Sequence, residues 1–431
     1  GNIAKAELLY GDGKKERQMK KEFFTIMSSL EFLPNSPTLM NAGRQLQQLS
    51  ACFVIPIEDS LESIFDALKA TALIHQSGGG TGFSFSHLRP KGDIVQSTYG
   101  IASGPVSFMR IFNMATEVIK QGGTRRGANM GVLRCDHPDI EEFINCKRKK
   151  GEFVNFNLSV GITDKFMRCV YEDRFFYLIN PRNGRRVAKV KASEIFDQIV
   201  DAAWDVGDPG VLFLDTINRA NTLPALGYIE ATNPCGEQPL FPWESCNLGS
   251  LNLSRFVKTY GGKKEIDFDR LEHVTRVAVR FLDNVIDMNV YPLKQIEKIT
   301  KDNRKIGLGV MGFADMLIQL GIPYDSEEAI EVAEKAMGFI RKIAYDESER
   351  LAKERGPFPN IRKSIFFGKR LLRNATLTTV APTGTLSIIA GCSSGIEPIF
   401  GIVYTRRVLD DEKLVEENRY FLEVAKKEGF Y

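Results

Sequence analysis

The sequence predicts an α/β fold, and two observations predict it. Short runs rich in β-branched and aromatic residues alternate along the chain with amphipathic helical runs. No internal repeat and no low-complexity linker interrupts the 431 residues, so the chain reads as one continuous domain. That length suits two or three average domains or one large α/β barrel, and either gives a sizeable core.

The elements follow in order. In EDSLESIFDALKATALIHQSGGG, Leu61, Ile64, Phe65, Leu68 and Ala72 fall at helical spacing, Asp59 with Glu62 forms a capping-box pattern, and three glycines end the run. Phe108, Ile111, Phe112, Ala115 and Ile119 form one face of a second helix that stops at Gly122 and Gly123. A third helix is expected near 267–288, with Leu271, Val274, Ala278, Phe281 and Val285 on one stripe, and a charged one at about 326–353. Strands are expected in GEFVNFNLSVGI (151–162), RFFYLIN (174–180), GVLFL (210–214) and ATLTTVAPTG (375–384).

Composition excludes several functions. Hydrophobic residues make up 43% and charged residues 26%, with a formal net charge of +3, so nothing asks for a nucleic-acid or membrane partner. No run approaches the roughly 18 apolar residues of a membrane helix, and the opening GNIAKAELLYGDGKK lacks the apolar core of a signal peptide. The expected location is the cytoplasm. Seven cysteines, at 52, 135, 146, 169, 235, 246 and 392, are odd in number and widely scattered, unlike a secreted disulfide framework. No C-x-x-C pair and no histidine cluster supports a metal site.

Three stretches carry chemistry. HQSGGGTGFSFSHLRPKGD and KQGGTRRGANMGVLR are glycine-rich and read either as plain turns or as loops that let backbone approach a ligand, the second adding Arg125 and Arg126 for phosphate oxygens. TLTTVAPTGTLSIIAG (376–391) breaks at Pro382–Thr385 before a possible helix; it is either an anion site at a helix start or a turn capped by threonine. ATNPCGEQPLFPWESCNLGSLNL (231–253) places Cys235 and Cys246 eleven positions apart among turn formers, on loops or strand ends. In an extended segment Asn233, Cys235 and Glu237 would alternate onto one face.

Taken together NSPTLMNAG, SACFVIP, NPCGE, ESCNLGSLNL and APTGTLSIIAGCSSGIEPIF, in that order, resemble the catalytic subunit of ribonucleotide reductases, most closely the adenosylcobalamin-dependent class II enzymes. The resemblance runs from about residue 31 to 405. It implies a ten-stranded α/β barrel of two antiparallel sets of five parallel strands, with 1–30 an N-terminal helical segment and 31–431 the barrel; the chain departs from many members in starting almost directly in the barrel, so no ATP-binding cone, and no dATP shut-off through one, is expected. By the same resemblance Cys235 matches the thiyl-radical cysteine that removes the ribose 3′-hydrogen, Glu237 the base for the 3′-hydroxyl, and Asn233 the amide that orients the ribose hydroxyls. Cys52 and Cys246 match the pair that supplies two electrons and ends as a disulfide. The other four cysteines read as packing residues.

Ser36, Ala51, Cys52, Gly80, Asn233 and Pro382, Thr383, Gly384, Thr385 and Leu386 correspond to substrate contacts, the last five holding the terminal phosphates. Asp59, Ser60, Leu61 and Arg89 correspond to a site for a nucleoside triphosphate effector at a homodimer interface, and residues 122–131 to the loop that relays the effector's identity. The implied partners are a ribonucleotide, by family habit a diphosphate, and a thioredoxin-like or dithiol reductant. The implied cofactor is adenosylcobalamin, the alternative being a radical from a metal-containing partner subunit as in class I. A catalytically silent nucleotide-binding homologue, or a formate-lyase relative on the same barrel, would not need the Cys52 and Cys246 pair. The chain ends at KKEGFY without the C-terminal cysteine pair that re-reduces the active site in the family.

Overall fold

The structure is a computed structural model that describes residues 1–11, 13–95, 100–119, 127–407 and 413–431. Its centre is an eight-stranded sheet. The strands are β1 (Phe32–Pro34), β2 (Cys52–Val54), β3 (Gly80–Ser84), β4 (Asn129–Arg134), β5 (Phe156–Ile162), β6 (Gly210–Phe213), β7 (Ser245–Asn252) and β8 (Ile306–Met311). β2 to β6 run parallel to one another in that order. β7 lies antiparallel to β2 and parallel to β8, and β1 joins β7 antiparallel. One set of five parallel strands is thus present, and β7 and β8 begin a second set of opposite direction.

β2, β7 and β8 are buried along their whole length, whereas β6 at the edge of the sheet leaves Val211 and Phe213 partly exposed. Helices α3 (Leu61–Gln76) and α4 (Pro105–Val118) close over one part of the sheet, where Ile64, Ile74, Met109 and Phe112 meet Phe83, Phe85 and Phe156. α5 (Phe268–Met288) covers β7 and β8 with its Leu271, Val274, Ala278 and Leu282 stripe, and the long α6 (Glu327–Arg355) packs outside it. Their ends are capped as sequence chemistry dictates, by Asp267 on Arg270 N–H and Ser326 on Ala329 N–H. α1 (Gly13–Ser28) sets Phe23 edge-on against Phe281 of α5, ring centroids 4.9 Å apart.

The N-terminal segment is also pinned by buried ions. Glu7 binds Arg280 at 3.0 Å and Arg355 at 2.7 Å, and Asp283 binds Arg304 and Arg355, each at 2.8 Å. Burial alone would raise the Asp283 carboxyl, but Arg304, Arg373 and Arg355 around it hold it well below the usual carboxylate range.

Several expectations need correction. Ser60, not Asp59, caps α3, accepting from Ser63 N–H, while the Asp59 carboxylate is taken by Arg89. RFFYLIN does form a strand, Phe175–Ile179, but in a separate hairpin with Arg186–Lys191. The 375–384 run forms no regular strand; Thr378 makes one isolated parallel bridge to Leu308. Residues 129–131 of the expected relay loop lie within β4, while Gly122, Gly123, Arg125 and Arg126 lie outside the described residues. Among the described residues no helix is long and apolar enough to cross a membrane.

Candidate active site

Cys52 and Cys246 are direct cross-strand partners, one on β2 and one on β7. Opposed antiparallel residues have Cα atoms roughly 4.5–5.5 Å apart and side chains on the same face, a spacing a disulfide can bridge. Neither cysteine is in a disulfide, and both are buried. Cys246 lies deeper, its thiol directed at the carbonyls of Asn247 (3.4 Å) and Lys305 (3.5 Å). Burial pushes that thiol well up, and the Glu244 carboxylate adds to it against Lys305. Glu244 and Lys305 form their own fully buried pair at 2.8 Å, with Asn303 donating to the second carboxylate oxygen at 2.7 Å.

Above the pair sits a hairpin, Ala231–Thr232 against Pro239–Leu240. Its connection is a tight turn and not the extended segment that alternation assumes. Gly236 adopts φ +84°, Gly236 N–H donates to Asn233 O at 3.1 Å, and Asn233 Oδ1 accepts from Gln238 N–H at 2.9 Å. Asn233, Cys235 and Glu237 nevertheless converge, because the turn folds them round one space. Asn233 Nδ2 donates to Cys52 Sγ at 3.2 Å, and the Cys52 thiol points to Glu237 Oε1 at 3.9 Å. Cys235, alone of the seven cysteines, is exposed.

The hairpin is seated by residues the sequence reading passed over. Asn157 of β5 donates to Pro234 O at 2.7 Å, and Thr379 donates to Glu237 O at 3.1 Å. A Cβ at Gly82 would lie 1.7 Å from Thr232 O, and one at Gly80 2.7 Å from the Pro234 ring. Gly80 and Gly82 of GGGTG therefore admit the chain's own hairpin. The signal for Asn157 was the alternation of FNLSVGI, which sets Asn157, Ser159 and Gly161 on the face opposite Phe156, Leu158, Val160 and Ile162.

Around the hairpin lies a cleft of about 200 Å³ lined by Ser36, Ala51, Cys52, Gly80, Asn233, Cys235, Glu237 and Pro382–Leu386, together with Asn35, Leu248 and Ser250. Every residue read as a substrate contact is in this lining. Ser36 opens α2 (Ser36–Asn41), whose cap Asn35 accepts from Thr38 N–H. Thr383 precedes α7 (Gly384–Ala390) at φ +57°, strained for a threonine. It does not cap the helix; its hydroxyl accepts from Gly395 N–H at 2.7 Å. Asp59, Ser60, Leu61 and Arg89 stand apart from the cleft lining, at the start of α3, with Arg89 Nε 2.8 Å from Asp59. Of the remaining thiols, burial pushes Cys135, Cys146 and Cys392 up to about 12, as inert packing thiols require. Among the described residues no group of His, Cys, Asp or Glu is placed to hold a metal ion.

Fold and site together define an α/β barrel-type sheet with a cysteine-bearing hairpin set into it. The chain matches the family description "Ribonucleotide reductase, barrel domain" over residues 50–371 and 367–430, and "Ribonucleotide reductase, all-alpha domain" over 1–47. It belongs to the ribonucleotide reductase large-subunit family. It is 58% identical over 411 residues to a vitamin B12-dependent ribonucleoside-diphosphate reductase of Thermoplasma acidophilum, covering 95% of this chain and 53% of the relative. A protein of the same description from Mycobacterium tuberculosis is 53% identical over 430 residues, 100% of this chain and 61% of the relative. A ribonucleoside-diphosphate reductase large subunit of Monkeypox virus is 31% identical over 449 residues, 91% and 58%. The chain thus spans between half and two-thirds of the length of these relatives.

Proposed function

We propose that this chain carries the catalytic barrel of an adenosylcobalamin-dependent ribonucleoside-diphosphate reductase, making 2′-deoxyribonucleotides. The observation that carries the reading is the cross-strand Cys52 and Cys246 pair beneath a cleft lined by Asn233, Cys235 and Glu237. The relatives described as vitamin B12-dependent support the cofactor. A thiol that meets a group delivered from outside must be reachable, and Cys235 is the reachable one. When bound, adenosylcobalamin supplies one-electron chemistry, the removal of a hydrogen atom from a thiol.

The chain's own residues do the rest. Cys235, short of its hydrogen atom, takes the ribose 3′-hydrogen and later returns it. Glu237 takes the 3′-hydroxyl proton, which lets the 2′-hydroxyl leave as water. Asn233 Nδ2, now on Cys52, turns to the ribose hydroxyls. Cys52 and Cys246 give up two electrons and two protons and close a disulfide, so ribonucleotide and two thiols become deoxyribonucleotide, water and one disulfide, reopened by an external dithiol. The diphosphate sits at Pro382–Leu386, where the first N–H groups of α7 have no intrahelical partner.

A homodimer through α3 and α4 fits their exposed Leu61, Phe65, Leu73, Met114 and Val118, with a nucleoside triphosphate effector at Asp59, Ser60, Leu61 and Arg89 beside that face. The ten-strand count and the division into a helical segment at 1–30 and a barrel at 31–431 belong to the same proposal, supported by the five parallel strands and the start of an opposed set. The test is anaerobic turnover of CDP with an effector, dithiothreitol and adenosylcobalamin. dCDP is expected with the wild type and none with Cys235→Ala; equal product from both would remove Cys235 from the chemistry.

A further inference from the structure

Gly80 and Ala128 form one wall of the cleft. The residue following each, Thr81 and Asn129, is fully buried and belongs to a polar chain behind that wall. Thr81 Oγ1 donates to Asn129 Oδ1 at 2.8 Å, and His75 Nε2 on the last turn of α3 lies 3.0 Å from the same hydroxyl. Asn129 Nδ2 donates to Thr116 Oγ1 of α4 at 2.9 Å and to Asn155 O, ahead of β5, at 3.1 Å. Asn155 Nδ2 in turn donates to Glu117 Oε2 of α4 at 3.0 Å. One asparagine thereby joins two strands and, through Thr81 and Thr116, two helices. The chain entering β4 is also held sterically: a Cβ on Gly127 would lie 2.7 Å from His75 Nδ1 and 2.9 Å from Cγ, in a ring that is fully buried.

Apolar packing would fill this space but would not fix which atom faces which. A polar network does, because each bond has a direction and losing one strands its partner in a low-dielectric interior. Its members adjoin the two residues whose backbone lines the cleft.

We propose that His75, Thr81 and Asn129 are positioning residues that set the cleft wall at Gly80 and Ala128 and tie it to α3 and α4. The proposal rests on the ribonucleotide reading of the cleft. It is tested with Thr81→Val, nearly isosteric but without the hydroxyl, with Thr81→Ser as rescue, and with Gly127→Ala, which deletes no hydrogen-bonding group but pushes the His75 ring off Thr81. CDP binding is measured by calorimetry and turnover under anaerobic conditions, with thermal melting alongside. Thr81→Val and Gly127→Ala are expected to raise the CDP Kd and KM about tenfold, the scale of one buried hydrogen bond, with kcat within about threefold, and Thr81→Ser to restore both. CDP binding at wild-type strength in Thr81→Val or Gly127→Ala, whatever the melting temperature, would make the network merely structural and overturn the proposal. A wild type that binds no CDP would instead overturn the ribonucleotide reading, and this proposal with it.

Discussion

Gly82→Ala tests the placement of the hairpin with a single methyl group. The added Cβ would stand 1.7 Å from Thr232 O and 2.8 Å from Thr232 C, where real Cβ atoms keep at least 3.0 Å. Both contacts are backbone, so no side chain can swing away, and β3 is locked between β2 and β4. The hairpin must therefore rise from the sheet by more than 1 Å, taking Asn233, Cys235 and Glu237 with it. Overpacking of this kind costs about 1–3 kcal/mol of stability, and a misplacement of about 1 Å at reacting groups lowers turnover by roughly a hundredfold. The assay is anaerobic CDP reduction paired with a urea melt. Gly338→Ala, at a helical glycine with open space around it, is the control and is expected to stabilise by about 0.5–1 kcal/mol with unchanged turnover. Gly82→Ala with wild-type turnover would refute the seating of the hairpin on β3.

The buried Glu244 and Lys305 pair makes a second prediction: Glu244→Ala leaves a lone buried ammonium and is expected to cost about 3–5 kcal/mol in urea melts, with most of it recovered in Glu244→Leu combined with Lys305→Met. Equal losses in the single and double variants would contradict this. pH gives another. Burial pushes His75 down to about 4 from its ordinary 6.5, so between those values the unfolded chain binds more protons than the folded one. Stability then falls as pH drops from 6.5 to 4 and is insensitive to His75 above that window, by about 3 kcal/mol in all. His75→Gln is expected to flatten that part of the urea-midpoint profile; parallel profiles would refute it.

Much of this was legible in the sequence where burial leaves a period. The stripe from Leu271 to Val285 fixed α5 almost to its ends, and GEFVNFNLSVGI and GVLFL became β5 and β6. The 375–384 run misleads because β-branched residues also suit a buried irregular segment. Ile306 and Leu308 N–H groups do donate to Thr376 and Leu377 O, but only Thr378 keeps ladder geometry. Local pattern marked Pro234 and Gly236 as turn formers, but it could not show that the turn folds 233–237 round one space, or that Gly82 yields to Thr232. The cleft residues were legible through the family motifs; their supports were not. Asn157, Thr379, the Glu244 and Lys305 pair and the His75, Thr81 and Asn129 chain act across long sequence separations, and no periodicity marks a polar contact between distant segments.

The central claim is that Cys52 and Cys246 spend their electrons on a nucleotide activated at Cys235. The most direct measurement is one anaerobic turnover with CDP, effector and adenosylcobalamin but no external dithiol, followed by alkylation and peptide mapping. The account predicts about one dCDP per chain, because a single dithiol holds two electrons, with Cys52 linked to Cys246 and the other five cysteines alkylated. Product formed while Cys52 and Cys246 both remain free thiols would contradict it.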